Sequence, residues 1–272
     1  MKNIFAIIFI IGTVLSVKAG VVDTVEVYSA SMKKKIKNVI IKPDSYKKSK
    51  TGYPVLYLLH GAGGNYAQWI KEVPKLKQLV DKHQLIIVCP DGGFTSWYFD
   101  SPVDENYKYE TYVANELVVH INKSYKILKD RSKHAITGLS MGGHGSFYLA
   151  FKHQDVWGAA GSMSGGLDLT PFPNGWNLPD RLGKYSENKE VWEENSVINM
   201  LHLLGSNAPK LIFDCGTSDF FFDQNNALHK KMLYMNIPHD YIERPGSHNW
   251  NYWRNAIEYQ LLYFSTVFKS DN

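Results

Sequence analysis

Apolar residues along this 272-residue chain gather into short, nearly continuous runs separated by longer amphipathic stretches. Residues 54–60, 84–88, 134–139, 156–163 and 209–214 are apolar or small at almost every position. Runs of this kind predict strands buried on both faces, as in a parallel sheet. Ahead of them, residues 21–30 and 36–41 alternate or run apolar and predict an antiparallel pair, with residues 31–35 as its turn. Helices are expected over residues 67–80, 109–125, 222–235 and 250–268. In the second of these, Val113, Leu117, Val118, Ile121 and Tyr125 recur at helical spacing. A last short strand is expected at 241–243. Strands that alternate with helices predict an α/β fold, with a mainly parallel central sheet flanked by helices. Residues 164–207 break the pattern. They are irregular, contain several Gly, Pro, Asn and Trp, and hold only short helical stretches at 189–195 and 196–204, so an insertion walling one side of a site is expected.

The first residues read differently. Lys2 precedes an uncharged, mainly apolar run from residue 4 to 17, and Val17-Lys18-Ala19 places aliphatic and small residues at a cleavage position. The run is too short to span a bilayer comfortably, and its flanks are those of a secretory signal. Residues 1–19 are therefore expected to be a removed signal peptide and 20–272 the folded domain, exported to the periplasm or beyond, with no stable membrane span after cleavage. No Cys follows the apolar run, so a lipid anchor is not indicated.

Composition narrows the class. The chain is 44% hydrophobic, enough for one sizeable core and short for two. Its formal charge of +4 includes Lys2 and Lys18, so the mature chain would carry +2. That gives no case for nucleic acid, and the lysine clusters at 33–35 and 47–50 read as solvated loop and strand-edge positions. The two cysteines, Cys89 and Cys215, sit in apolar strand-like runs and are expected to be buried free thiols. Neither they nor the histidines have the spacing of a metal site.

The chemistry centres on Gly138-Leu139-Ser140-Met141-Gly142, a G-x-S-x-G pattern between an apolar run and a helix-compatible one. In a strand–turn–helix context this pattern forms a nucleophile elbow, and the flanking glycines keep neighbouring backbones free of a clashing side chain. A bare match arises by chance in roughly one chain in ten of this length, so its partners decide its meaning. A serine hydroxyl needs an imidazole to take its proton and a carboxylate to orient that imidazole, in chain order Ser, acid, His, each at the C-terminal end of a strand. Of Asp214, Asp219 and Asp223, the first lies within a strand and the third in a helical first turn. Asp219 lies in the loop between them and is the expected acid. His248, on a Pro-Gly loop after the last strand, is the expected base, because His239 precedes that strand. Two backbone amides should form an oxyanion hole: Met141 after the nucleophile, and Ala62, with Gly63 as alternate, in the glycine-rich segment Gly61-Ala62-Gly63-Gly64. His60 and His144 flank these loops and are expected to be structural. Trp97, Tyr98, Trp176 and Trp250 are candidate substrate-stacking residues.

Taken together, Leu59–Gly64 with Trp69, Ser96-Trp97-Tyr98-Phe99-Asp100-Ser101-Pro102, Gly138–Gly143, Cys215-Gly216-Thr217-Ser218-Asp219-Phe220 and Pro245-Gly246-Ser247-His248-Asn249-Trp250 resemble the esterase D family of α/β-hydrolases. The resemblance spans roughly residues 55–268. It is similar in type to the feruloyl and acetylxylan esterases of carbohydrate esterase family 1 and to tributyrin esterases. It implies the α/β-hydrolase fold, a triad of Ser140, Asp219 and His248, an oxyanion hole at Ala62 and Met141, and no metal or cofactor. S-formylglutathione hydrolases and mycolyltransferases are similar too, and export argues against the former, whose substrate is cytosolic. The expected activity is an exported serine esterase acting on an acylated carbohydrate or small ester, with acyl or feruloyl groups of plant polysaccharides as substrates. The competing expectations are acyl transfer to a sugar and a non-catalytic carbohydrate-binding relative. The acyl group would be chosen by the regions 94–107 and 164–207, where such esterases differ.

Overall fold

The computed structural model describes residues 20–270. The expected signal peptide lies outside the described residues. Eight strands form one sheet: β1 (Val21–Ser29), β2 (Lys34–Lys42), β3 (Val55–Leu59), β4 (Ile86–Pro90), β5 (His134–Gly138), β6 (Ala159–Met163), β7 (Lys210–Gly216) and β8 (Asp240–Arg244), in the order β1-β2-β4-β3-β5-β6-β7-β8. β1 and β2 are antiparallel to each other, and β2 is antiparallel to β4; the remaining pairings are parallel. The helices are α1 (Gln68–Glu72), α2 (Leu76–His83), α3 (Tyr109–Thr111), α4 (Val118–Ser124), α5 (Met141–Lys152), α6 (Pro179–Leu182), α7 (Lys189–Glu194), α8 (Phe222–Tyr234) and α9 (Trp250–Lys269). This is the mainly parallel α/β sheet that the apolar runs predict, arranged as the resemblance to α/β-hydrolases implies.

The side-chain alternation of a strand distributes β3 between two cores. Val55, Tyr57 and Leu59 point to the face covered by α4, α5 and α8, and share its core with Ile121, Phe147 and Leu228. Leu56 and Leu58 point to the other face and share its core with Leu76, Val80, Ile257 and Leu261 of α2 and α9. Each such side chain contributes about 1.5–3 kcal/mol on burial. Both faces of the middle strands are dry, which is why their runs are apolar throughout. Cys89 and Cys215 are buried free thiols within these strands.

Two helices depart from the sequence expectation. Residues 67–80 are not one helix: α1 ends before Pro74, with Val73 at φ −126° and ψ 70°, and α2 begins after it. The proline ring excludes helical backbone at the preceding residue. Residues 109–125 are helical, but Tyr112–Leu117 wind as a π-helix between α3 and α4. Just before that widened turn, Glu110 accepts hydrogen bonds from three groups at the end of α5: Tyr148 Oη at 2.6 Å, Lys152 Nζ at 2.7 Å and His153 Nε2 at 2.9 Å. Burial alone would raise its carboxyl, but these donors reverse the effect and hold it at about 2.

α5 begins directly at the turn that carries Ser140. The Ser140 N–H donates to Met163 O of β6 at 2.9 Å, so the turn is tied to the neighbouring strand. Ser140 itself sits at φ 54° and ψ −118°, where a side chain costs about 1–3 kcal/mol. The strand and helix approach so closely that a Cβ on Gly142 would lie 2.6 Å from the His60 carbonyl oxygen, and one on Gly138 would lie 2.5 Å from the Gly142 carbonyl oxygen.

Two expectations follow. Gly142→Ala should cost about 3 kcal/mol, read in a thermal melt as a fall of roughly 5–10 °C; an unchanged melt would mean that the turn can yield. Glu110→Gln should cost about 2 kcal/mol at pH 7. The depressed carboxyl stabilises the fold above its ordinary value of 4.5, and this is lost as pH falls toward about 2. Wild-type and variant stabilities measured by urea titration should therefore converge across that window, and a constant gap would count against the ion cluster.

Candidate active site

Three loops at the C-terminal ends of β5, β7 and β8 bring Ser140, Asp219 and His248 together. His248 Nε2 lies 2.9 Å from Ser140 Oγ, and His248 Nδ1 lies 2.9 and 3.0 Å from the two carboxylate oxygens of Asp219. An ionised carboxylate only accepts, so Nδ1 carries the ring proton and donates it, and Nε2 is left to accept from the Ser140 hydroxyl. This arrangement can draw the proton from Ser140 and leave its oxygen nucleophilic. Asp219 is fully enclosed, while the His248 ring keeps 14% of its side-chain surface exposed, enough to meet a substrate.

The backbone fixes the distance between acid and imidazole. Thr217 N–H donates to Arg244 O at 2.9 Å, and Ser218 N–H donates to Gly246 O at 2.8 Å, which zips the Asp219 loop to the His248 loop. Asp219 Oδ1 also accepts from the Phe221 N–H at 2.8 Å, holding the carboxylate's rotation. Asn249 caps α9 by accepting from the Tyr252 N–H at 3.2 Å, so His248 sits one residue before a fixed helix start. Asp214 points elsewhere, into the core. It accepts from Gln260 Nε2 at 2.9 Å and Arg244 Nη2 at 3.1 Å, and burial lifts its carboxyl to about 6 despite these partners. It ties α9 to β8 behind the site.

The glycine-rich segment after β3 faces the elbow. Gly63 N–H is spent on Phe94 O at 2.7 Å, which removes it as a donor toward Ser140. Ala62 N–H and Met141 N–H make no hydrogen bond among the described residues. His60 is buried and shapes this segment: its Nε2 accepts from Gly92 N–H at 2.8 Å, so its Nδ1 carries the proton and donates to Gly61 O at 2.8 Å. His144 Nε2 lies 2.9 Å from Asn195 O, and burial lowers its ring to about 4, so it is a neutral structural group.

A cavity of about 250 Å³ opens over Ser140, walled by Ala62, Trp176, Phe220, Trp250 and Trp253, with Gln68 at one side. Of the four aromatic residues singled out in the sequence, Trp176 and Trp250 line it. Trp97 and Tyr98 do not, and here the sequence expectation is corrected. Both have left-handed backbone, φ 55° and 62°, and both are buried, 1% and 0% exposed. The Tyr98 ring lies against Gly92 and Gly145, and its hydroxyl donates to His60 O at 3.1 Å. Trp97 Nε1 donates to Trp176 O at 3.3 Å, so it supports the insertion that carries Trp176. The two loops are also joined at Arg181, whose Nε donates to Thr95 O at 3.1 Å and whose guanidinium lies 3.5 Å from the centre of the Tyr107 ring.

Phe220, Trp253 and Gln68 were not expected in the wall. Phe220 carried a signal, being the aromatic next to the acid, and Trp253 lies one helical turn beyond Trp250. Gln68 had none. Among the described residues, no three His, Cys, Asp or Glu side chains converge as a metal-binding group, and no helix is long and apolar enough to cross a membrane.

Comparison with known proteins places the chain in a family. Residues 29–264 match the family model "Putative esterase". An acetyl esterase of Caldicellulosiruptor saccharolyticus is 26% identical over 226 residues, covering 78% of this chain and 83% of that one. A solved ferulic acid esterase superposes with a TM-score of 0.78 at 28% identity, covering 92% of this chain and all of that one. A fluorophosphonate-binding serine hydrolase of Staphylococcus aureus shares the fold, with a TM-score of 0.81 at 20% identity over 91% of this chain and 99% of the other. With its family model matched over most of its length and esterases among both sequence and structural relatives, the chain belongs to this esterase family and is a carboxylic ester hydrolase.

Proposed function

We propose that Ser140, His248 and Asp219 hydrolyse a carboxylic ester through an acyl-enzyme. The observation that carries this reading is the unbroken hydrogen-bonded path from Ser140 Oγ through His248 to Asp219. Ser140 Oγ bonds to the ester carbonyl carbon while its proton passes to His248 Nε2, and the carbonyl π pair moves onto oxygen. Ala62 N–H and Met141 N–H, both unspent, receive that oxyanion; one such donor contributes about 3 kcal/mol to the transition state. The imidazolium then gives its proton to the leaving alcohol as the C–O bond breaks. Water repeats the steps and frees the acid. Asp219 holds the imidazole in the tautomer that each transfer requires.

The substrate in this reading is an acyl or feruloyl ester of a plant polysaccharide. Its support is the similarity to an acetyl esterase and a ferulic acid esterase, and the aromatic wall of the cavity. The volume of about 250 Å³ is below the ~300–1,000 Å³ of sites that enclose a whole small molecule. It suits one acyl group inside, with the sugar outside against Trp176 or Trp250. The enzyme is exported, on the reading of residues 1–19 as a signal peptide.

Ser140→Ala should lower turnover of an aryl acetate by on the order of 10³–10⁶-fold and abolish labelling by a fluorophosphonate probe; near wild-type turnover would sink the proposal. Asp219→Asn should lower kcat by about 10⁴-fold with little change in the melt. A panel of acetyl, butyryl and feruloyl xylan oligosaccharides reads the substrate class, and an enzyme active only on simple aryl esters would argue against the polysaccharide.

A further inference from the structure

Three aromatic rings surround the His248 imidazole. Trp253 stands edge-on at 4.9 Å between centroids and 87°, and Phe221 edge-on at 5.3 Å and 86°. Both belong to the core: Phe221 is buried, and Trp253 Nε1 donates to Ser164 Oγ at 3.2 Å. Phe220 is different. Its ring lies at 4.2 Å and 38° from the imidazole, closest of the three, yet Phe220 is 56% exposed. The Trp176 indole also stacks nearly parallel to Phe220, at 6.0 Å and 16°. Ring contacts thus link His248, Phe220 and Trp176, from the imidazole to the insertion.

An apolar residue left more than half exposed gains little from burial, so its place beside the imidazole calls for a benefit besides walling the cavity. A neutral imidazole draws modest attraction from the face of a phenyl ring. An imidazolium draws more, because its charge meets the negative π-face within about 6 Å of the centroid. The hydrolytic cycle makes that cation transiently, each time Nε2 takes a proton.

We propose that Phe220 is a positioning residue for His248: its ring seats the imidazole between Ser140 and Asp219 and favours the protonated form that arises in each transfer, with Trp176 bracing it. The proposal rests on the reading of His248 as the base. The other groups facing the imidazole leave Phe220 as the adjustable influence. The β7 loop presents the Asp219 carboxylate and the elbow presents the Ser140 hydroxyl; α9 presents Trp250 and Trp253, the insertion Trp176, and the glycine segment Gly61 and Ala62. Asp219 is thus the charged group at the ring, and it is unchanged by substitution at 220.

The test compares Phe220→Leu, which keeps an apolar cover without a π-face, with Phe220→Tyr, which keeps both. The first readout is the pH dependence of kcat/KM with a small aryl acetate, too small to need Phe220 as a wall. The second is an NMR titration of the His248 ring in the Ser140→Ala background. With the imidazolium less favoured, Phe220→Leu should shift both the acid limb and the NMR midpoint down by about half a pH unit, a roughly threefold change in the protonation equilibrium. Its kcat should fall about threefold at constant KM, and Phe220→Tyr should restore all three. Unmoved profiles in Phe220→Leu, or equal behaviour of Leu and Tyr, would overturn the proposal. Loss of the base reading is recognised separately, by turnover that survives His248→Gln, and the NMR midpoint needs no turnover to judge Phe220.

Discussion

One strained residue organises this molecule. Ser140 holds a backbone conformation that a side chain disfavours, and it does so because three elements leave it no alternative. β5 delivers it, α5 starts on the next residue, and the Met163 carbonyl of β6 fixes its amide. The cost of about 1–3 kcal/mol is spread over a turn packed so tightly that its glycines touch neighbouring carbonyls. What the strain provides is direction. The hydroxyl projects beyond the sheet edge toward His248, and the amide of Met141 begins a helix with its positive end toward the same space. The sheet, the two cores and the Glu110 cluster at the far end of α5 all serve to keep that turn from relaxing.

The strands and the three residues that meet at the site were legible in the sequence because local chemistry and topology agreed there. Buried parallel strands need continuous apolar runs, and residues at their C-terminal ends necessarily converge on one edge. Ser140 and Asp219 follow such runs and His248 follows the short strand at 241–243, so chain order placed all three at that edge. Asp214 could be set aside because a residue within the strand faces the sheet's flank, and the structure shows it bound to Gln260 and Arg244.

What was not legible depends on backbone geometry or on distant partners. Trp97 and Tyr98 look like surface aromatics on a turn-rich loop. Two consecutive left-handed residues turn them inward, Tyr98 into space left by Gly92 and Gly145 and Trp97 against Gly166, glycines that lie far apart in sequence. The π-helical stretch at Tyr112–Leu117 keeps enough apolar positions to pass for regular helix. Pro74 stood in plain view, but the periodicity on either side of it continued in phase. Phe220 was legible only as the neighbour of the acid; its place beside His248 needed the fold of two loops.

The junction at Arg181 joins the two segments expected to choose the acyl group. The guanidinium reaches from the insertion onto Tyr107 and the Thr95 carbonyl, while Trp97 reaches back to the Trp176 carbonyl. The two variable segments are thereby one mechanical part. Replacing residues 164–207 would take from Trp97 its hydrogen-bond acceptor and from Tyr107 the guanidinium stacked on its ring, and replacing 94–107 would take both of these partners from the insertion. Two stretches separated in sequence by α3, α4, β5, α5 and β6 therefore behave as a pair, and a change in either one alters the footing of the other.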